Sequence, residues 1–410
     1  MAESISPLSA FTGFGIELEY MIVDRGTLAV RPLAERLLLD ASGEVRNEVG
    51  HGDIAWSNEL VSHVIELKTN GPASSLHGLA ERFHQNVIAI NEALAGEDAR
   101  LLPTAMHPLF DPATETRLWS HGQNTVYRAY DRIFGCRGHG WSNLQSMHIN
   151  LPFANEDEFR RLHAAIRVVL PLIPALSASS PLEQGRPAPW LDGRLRYYRD
   201  NQKRIPSISG PVIPEPVDGM ADYHQRILEP MYREIAPWDA DGELQDDWLN
   251  SRAAIARFER QTIEIRIIDL QECPAADLAI AELIVAQVRA FYEQDTASFQ
   301  QQQATSTDAL ADLLWAAAGE GERAMIEGRE LEGLFGLRRA QSLGEYWQDQ
   351  ATLLPGLSAS SRGLLVRMLE RGPLGRAILD RTGPAPDSNS IIECYRELAE
   401  CLTQQRLFGS

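Results

Sequence analysis

Hydrophobic and polar residues alternate along several stretches of the chain, and the alternation predicts strands that each carry one charged face. In residues 13–23, GFGIELEYMIV, Ile16, Leu18 and Tyr20 alternate with Glu17, Glu19 and Met21, the period of a half-buried strand. Residues 142–152, SNLQSMHINLP, place Leu144, Ser146, His148 and Asn150 on one side and Gln145, Met147, Ile149 and Leu151 on the other. The cleanest alternation is RQTIEIRIIDL, residues 260–270, where Ile263, Ile265 and Ile267 oppose Glu264 and Arg266. A further stretch, NELVSHVIELKTNGP at 58–72, ends in an Asn-Gly-Pro turn signal and has a period that fits helix or strand; it reads here as one strand.

Three- and four-residue spacing of Leu79, Phe83, Val87, Ile90 and Leu94 predicts an amphipathic helix over 76–94, packed on the sheet. A second helix is expected from 156 to about 176, capped by Asn155 and with acidic residues in its first turn. Residues 275–294 read as a long helix, and the remainder as mostly helical with a Gly-Pro-Ala-Pro break near Gly383. The stretch 177–217 is rich in Pro, Gly and Arg and too long for an ordinary connector, so it is expected to be a functional lid or disordered. This organisation suggests a catalytic unit over 1–300 and a helical extension over 301–410 packed on it.

Composition narrows the chemistry. A formal charge of −19 on 410 residues argues against a nucleic-acid backbone or an anionic membrane as partner. No run approaches the length of a membrane span. Cys136, Cys273, Cys394 and Cys401 show neither CxxC spacing nor disulfide density, so a reducing cytoplasm is expected and a zinc site is not. Cys136 and Cys273 lack a local His and read as buried, inert thiols. His107, His121 and His139 lie in turn-rich segments and read as hydrogen-bonding residues; homo-oligomerisation is left open.

The carboxylates carry the functional signal. Two Glu residues at i and i+2 of a strand project from the same face, about 7 Å apart at the α-carbons. An isolated ELE triplet more often marks a solvated face than a site. Suppose instead that Glu17, Glu19, Glu59, Glu66 and Glu264 converge with His148 on one cavity. Each carboxylate pair about 4 Å apart then repels by about 4 kcal/mol at an effective dielectric of about 20, so the cluster cannot stay ionised without cations. Convergence and metal binding stand or fall together. Oxygen ligands with a single imidazole suit Mg²⁺ or Mn²⁺. Neither a GxxxxGKS/T loop nor a GxGxxG fingerprint is present, so a nucleotide would have to bind in another kind of fold.

GIELE at 15–19, EL followed by VIELKTNGP at 59–72, SMHINLPF at 146–153 and IEIR at 263–266, in that order and rough spacing, resemble the glutamate-cysteine ligase family of carboxylate-amine ligases, in the superfamily of glutamine synthetase and the guanido kinases. The resemblance covers about residues 14–291. It implies an α+β fold, a saddle-shaped, mostly antiparallel sheet with flanking helices and a site in its concave face. By the same resemblance Glu17, His148 and Glu264 would hold the Mg²⁺ or Mn²⁺ nearer the phosphates of ATP, and Glu19, Glu59 and Glu66 the one nearer the amino-acid substrate. Arg266 would face the transferred phosphoryl group, a role that suits a planar guanidinium two residues from a metal ligand; it joins Glu264 and Glu66 as the catalytic candidates. Where the plainer ligases of the family carry Gly-Gln-His, this chain has Ser146, Met147 and His148, a departure that bears on the substrate pocket.

Arg199, Lys203 and Arg204, in YYRDNQKR, are candidates for phosphate or carboxylate contact on a lid, with a solvated basic loop as the alternative. Trp141 and Trp190 would stack adenine or pack in the core, and Asp53 fits the metal spacing less well than Glu59 and Glu66. The expected activity is an ATP-dependent amide ligation of small molecules through an acyl phosphate, with glutamate and cysteine as the substrates that the resemblance implies. A guanido-kinase-like phosphotransferase and a non-catalytic binding protein on the same fold are the alternatives.

Overall fold

Strand pairing gathers the alternating stretches into one antiparallel sheet. The computed structural model describes residues 7–409, and its largest sheet has eight strands. We label these β1 (Gly15–Asp24), β2 (Glu48–His51), β3 (Ile54–Asn58), β4 (Val64–Thr69), β5 (Ala99–Leu102), β6 (Ser146–Pro152), β7 (Ala254–Arg257) and β8 (Thr262–Asp269). Their order is β2-β3-β4-β1-β6-β8-β7, with β5 beside β1. One edge of β1 pairs with β4; the other is shared, with β6 along residues 15–18 and β5 along residues 21–24. The sheet is open, and the architecture is α+β.

Because side chains alternate across a strand, Ile16, Leu18, Ile65, Leu67, Met147, Ile149, Ile263 and Ile265 fall on one face and are essentially fully buried. Each such side chain contributes roughly 1.5–3 kcal/mol on leaving water. Helices α1 (Leu79–Ala93), α2 (Asn124–Phe134), α3 (Glu156–Val169), α4 (Gly193–Asp200) and α5 (Pro274–Tyr292) follow in chain order. The long apolar α5 packs against α1 and α3 within the same hydrophobic cluster as the sheet.

Three expectations require correction. Residues 58–72 are not one strand: β3 ends at Asn58 and β4 begins at Val64. The turn between them is held by tertiary bonds, Ser62 N–H donating to Arg117 O at 2.8 Å and Ser62 O accepting from Ala34 N–H at 3.0 Å. The helix expected to run to 176 stops at Val169 and continues as short turns, because Pro171 and Pro174 supply no N–H for the helical ladder. Its start is as expected, with the Asn155 side chain accepting from Glu158 N–H at 3.0 Å.

Residues 177–217 are ordered. Buried Asp269 anchors them by accepting from Ser179 N–H (2.9 Å), Ser180 Oγ–H (2.7 Å) and Arg194 Nε–H (2.6 Å). Such a polar network leaves no periodic signature in a sequence.

Helix α6 (Thr296–Ala304) straddles residue 300, and the core is continuous across it: Leu310, Trp347 and Leu365 share one cluster with Ile16. The last long helix, α7 (Ser388–Gln404), packs on β5 and α1 and is tied by Arg100 Nη1 to Glu400 Oε1 at 2.7 Å. Among the described residues no helix is long and apolar enough to cross a membrane.

Candidate active site

The face of the sheet opposite the core is built from the residues that core packing leaves over. On β1, Glu17 lies opposite His148 of β6 on one side and Lys68 of β4 on the other. Two residues along, Glu19 lies opposite Glu66, which lies opposite Ser57 of β3. On β8, Glu264 lies opposite Asn150. Between Ile265 and Ile268 the register shifts, so that Arg266 and Ile267 together oppose the single residue His148. This bulge sends both Ile267 and Ile268 to the core and leaves Arg266 beside Glu264, Nε to Oε1 at 2.9 Å. Glu59 comes from the turn after β3, outside the ladder.

The side chains form two groups. Glu17, His148 and Glu264 each offer a ligand atom within 4.8 Å of the others, and so do Glu19, Glu59 and Glu66. His148 bridges them: Nδ1 lies 2.8 Å from Glu17 Oε2 and 3.8 Å from Glu264 Oε1, and Nε2 lies 3.7 Å from Glu19 Oε1. Ser146 fixes Glu19, donating from N (2.7 Å) and Oγ (3.1 Å) to Oε2, while Asn150 Nδ2 donates to Glu17 Oε1 at 3.1 Å. Arg257 Nη1 donates to Glu264 Oε2 at 3.1 Å.

The electrostatics record the crowding. Burial alone would raise the Glu17 carboxyl, but the His148 hydrogen bond and the charges of His148, Lys68 and Arg260 outweigh it and hold the group at about 2. Burial and then the charge of Glu17 push Glu66 up to about 7, against the opposing pull of Lys68 and the Ser57 hydroxyl. Glu59 is raised well above the ordinary range, by burial first and then by Glu19, Glu66 and Glu17. His148 is raised because the carboxylates around it outweigh its burial. Carboxyls forced toward their neutral form by one another are groups that divalent cations would relieve. The donor set, five carboxylates and one imidazole, fits a pair of hard cations of the Mg²⁺ or Mn²⁺ kind.

These residues line a cavity of about 390 Å³, roofed by Gln123, Val126, Tyr127 and Tyr130 around the start of α2 and by Trp248. A second cavity of about 510 Å³, walled by Leu8, Gly13–Gly15, Asn70–Pro72 and Pro152, opens beside it, and Glu17, Lys68 and Arg260 line both.

Other candidates lie elsewhere. Arg199 pairs with Asp200 at 2.9 Å and sits over the rings of Trp190 and Trp315. Arg204 donates to the carbonyl of Ile133 and covers Trp238, bracing the end of α2, and Lys203 is exposed. None of the three lines the carboxylate cavity. Trp141 stacks on Phe134 and Trp190 packs on Trp315, so both serve packing. Asp53 is tied to Arg82 at 2.8 Å away from the cluster, and the four cysteines are buried. Lys68, Arg257, Arg260 and the aromatic roof escaped the sequence reading. Only Lys68 carried a signal there, standing two residues after Glu66 on the same strand face.

Residues 13–350 match the model of glutamate-cysteine ligase family 2. A protein of Archaeoglobus fulgidus without a functional name is 33% identical over 395 residues, covering 96% of this chain and 99% of that one. A Streptomyces avermitilis relative, provisionally named glutamate–cysteine ligase 2-1, is 26% identical over 93% of this chain and 98% of its own length. Among solved structures, glutamate–cysteine ligase from Francisella tularensis in complex with AMP superposes with a TM-score of 0.62 at 14% identity, covering 98% of this chain and 91% of that one. At that identity the likeness is one of fold.

Proposed function

The chain belongs to glutamate-cysteine ligase family 2, and from that premise we propose that it is an ATP-dependent carboxylate–amine ligase forming a γ-glutamyl-type amide, with glutamate and cysteine as the first pair to test. The observation that carries this reading is the pair of three-residue ligand groups on one sheet face, joined by His148.

A carboxylate at neutral pH is a poor electrophile, and its oxide is a poor leaving group. Amide formation therefore needs an activated acyl group, and ATP is the reagent proposed. Glu17, His148 and Glu264 would hold one Mg²⁺ or Mn²⁺, and Glu19, Glu59 and Glu66 a second. When bound, these cations supply charge neutralisation for the phosphates and the substrate carboxylate. The carboxylate oxygen attacks the γ-phosphorus and ADP leaves. The amine nitrogen then attacks the acyl carbon, loses a proton and expels inorganic phosphate. Arg266 would stabilise charge on the moving phosphoryl group. Its guanidinium is held by Glu264 and by the carbonyl of Asn250, to which Nη1 donates at 3.2 Å. Ser146 and Asn150 keep the carboxylates of Glu19 and Glu17 oriented, a preorganisation that costs nothing at the moment of reaction. Tyr127, Tyr130 and Trp248 line the same cavity and would limit access of water to an acyl phosphate.

The test is release of ADP and phosphate from ATP and Mg²⁺ or Mn²⁺, screened over amino acids paired with amines. Equal amounts of ADP and phosphate that depend on both partners are the expected result. ADP without free phosphate would make the protein a phosphotransferase, and no nucleotide turnover across a broad panel would count against any ligase.

A further inference from the structure

We propose that Lys68 and Arg260 grip the phosphate chain of the nucleotide where the two cavities meet, so that the larger cavity receives the base and sugar while the terminal phosphate reaches the carboxylates. The inference rests on the ligase reading and adds to it two binding residues and a direction of entry.

Three observations carry it. The first is connectivity: Glu17, Lys68 and Arg260 are the side chains common to both cavity walls, so a ligand extending from one cavity to the other passes between two cations over one carboxylate. A polyanion with a bulky end is a ligand of that shape and charge.

The second is the way Lys68 is held. Its backbone lies directly opposite Glu17 in the ladder, and its ammonium is fixed 2.7 Å from Glu48 Oε2 and 3.4 Å from Glu66 Oε1 with only 21% of the side chain exposed. Arg260 stands across the throat, 3.9 Å from Glu17 Oε1 and 53% exposed, free to close on a ligand. One cation is preorganised and the other adaptable, which suits a chain of phosphates more than a single fixed anion.

The third is the wall of the larger cavity. Leu8, Phe14, Pro72 and Pro152 give it apolar surface, with Asn70 and Gln261 as amide groups at its edge. Apolar surface with a few amides receives a heterocycle, whereas the carboxylate cavity would repel one bearing phosphates unless cations were present.

The competing role for Lys68 is that of a counter-ion, standing among Glu17, Glu48 and Glu66 merely to offset their charge. The two roles separate in a binding experiment on the full chain. Mn²⁺ alone would be titrated by electron paramagnetic resonance, and magnesium ATP by calorimetry. Lys68→Met is expected to weaken magnesium ATP by at least about tenfold, the scale of one lost charge-assisted contact, while Mn²⁺ alone binds as well as before or more tightly. Lys68→Arg should stay within about threefold of the parent for both ligands, and Arg260→Ala should lose about three- to tenfold for magnesium ATP only. Parental magnesium ATP affinity in both Lys68→Met and Arg260→Ala would overturn the proposal and leave Lys68 a counter-ion. Should Lys68→Met not fold, Arg260→Ala decides, since that half-exposed side chain is safely removed. A parent protein that binds Mn²⁺ but no magnesium ATP would overturn the ligase reading itself, a result distinguishable from failure of the throat alone.

Discussion

On one face of β1, Ile16, Leu18 and Tyr20 are fully buried in a continuous apolar core; one residue along, on the other face, Glu17 and Glu19 stand among three more carboxylates. The same strands supply both faces, but only one of them contributes stability that does not depend on pH. The apolar face stabilises the fold whatever ions are in solution, because its driving force is removal of surface from water. On the acidic face Glu66 and Glu59 oppose folding as pH rises, whereas Glu17, held at about 2 by His148, Lys68 and Arg260, favours it. The unfolded Glu66 carboxyl gives up its proton near 4.5, whereas in the fold it holds on until about 7, so the stability that protonation contributes at low pH is lost between those values. Alternation thus lets one set of strands carry crowded carboxyls against an adjacent source of stability, and divalent cations would relieve that crowding.

That contrast can be broken by variants that confuse the two faces. The largest effect is expected at Glu264→Gln, which should lower nucleotide turnover by about a thousandfold, roughly 4 kcal/mol in transition-state stabilisation, while the melting temperature moves by no more than a few degrees. Retained turnover would remove Glu264 from the working residues, and a collapse of stability would show that the acidic face is structural.

Next in size is Leu151→Ala on the apolar face. Leu151 is fully buried on β6, so the cavity left behind should cost about 3 kcal/mol in urea unfolding, with the Mn²⁺ affinity of the folded protein unchanged. A matching drop in affinity would show the faces to be mechanically coupled.

The smallest effect sharpens the pH side of the comparison. His163 is buried, its ring nitrogens have no hydrogen-bond partner among the described residues, and burial, helped by Arg167 and Arg252, depresses its pKa to about 3. The unfolded imidazole takes a proton near 6.5 and the folded one does not, so this residue stabilises above 6.5 and loses that contribution as pH falls. His163→Phe should therefore recover about 2 kcal/mol at pH 5 relative to pH 7.5 in parallel denaturations. An unchanged acid profile would place the sensitivity elsewhere, with His63 and His107, each held near 4 chiefly by burial, next to examine.

Strands β1, β6 and β8 were legible because a period of two is visible whenever one face is apolar, and those strands supply Glu17, Glu19, His148 and Glu264. The turn that delivers Glu59 was hidden: residues 59–63 contain no Gly or Pro, and the backbone of Leu60, Ser62 and His63 bonds to Trp119, Arg117, Ala34 and Ile22, partners remote in sequence. Pro171 and Pro174 were in plain view, and the run of apolar residues around them masked the break they impose. The order in 177–217 depends on Asp269 and Arg194 meeting across 75 residues, which no local pattern encodes. Arg199, Lys203 and Arg204 stand out as a basic cluster, whereas the cations at the cavities come from Lys68 on β4 and from Arg257 and Arg260 at the β7–β8 turn, segments that only the folded sheet brings together.

Two ligand groups on one sheet face would share their charge with divalent cations if the proposed function is right. Titrating the purified chain with Mn²⁺ while following its melting temperature tests this most directly. Two ions per chain are expected, with a rise in melting temperature on binding that is larger at pH 8 than at pH 6, since bound cations must displace protons from Glu66 and Glu59 at the lower pH. Fewer than one ion per chain at millimolar Mn²⁺, or two ions bound with no gain in stability at either pH, would contradict it.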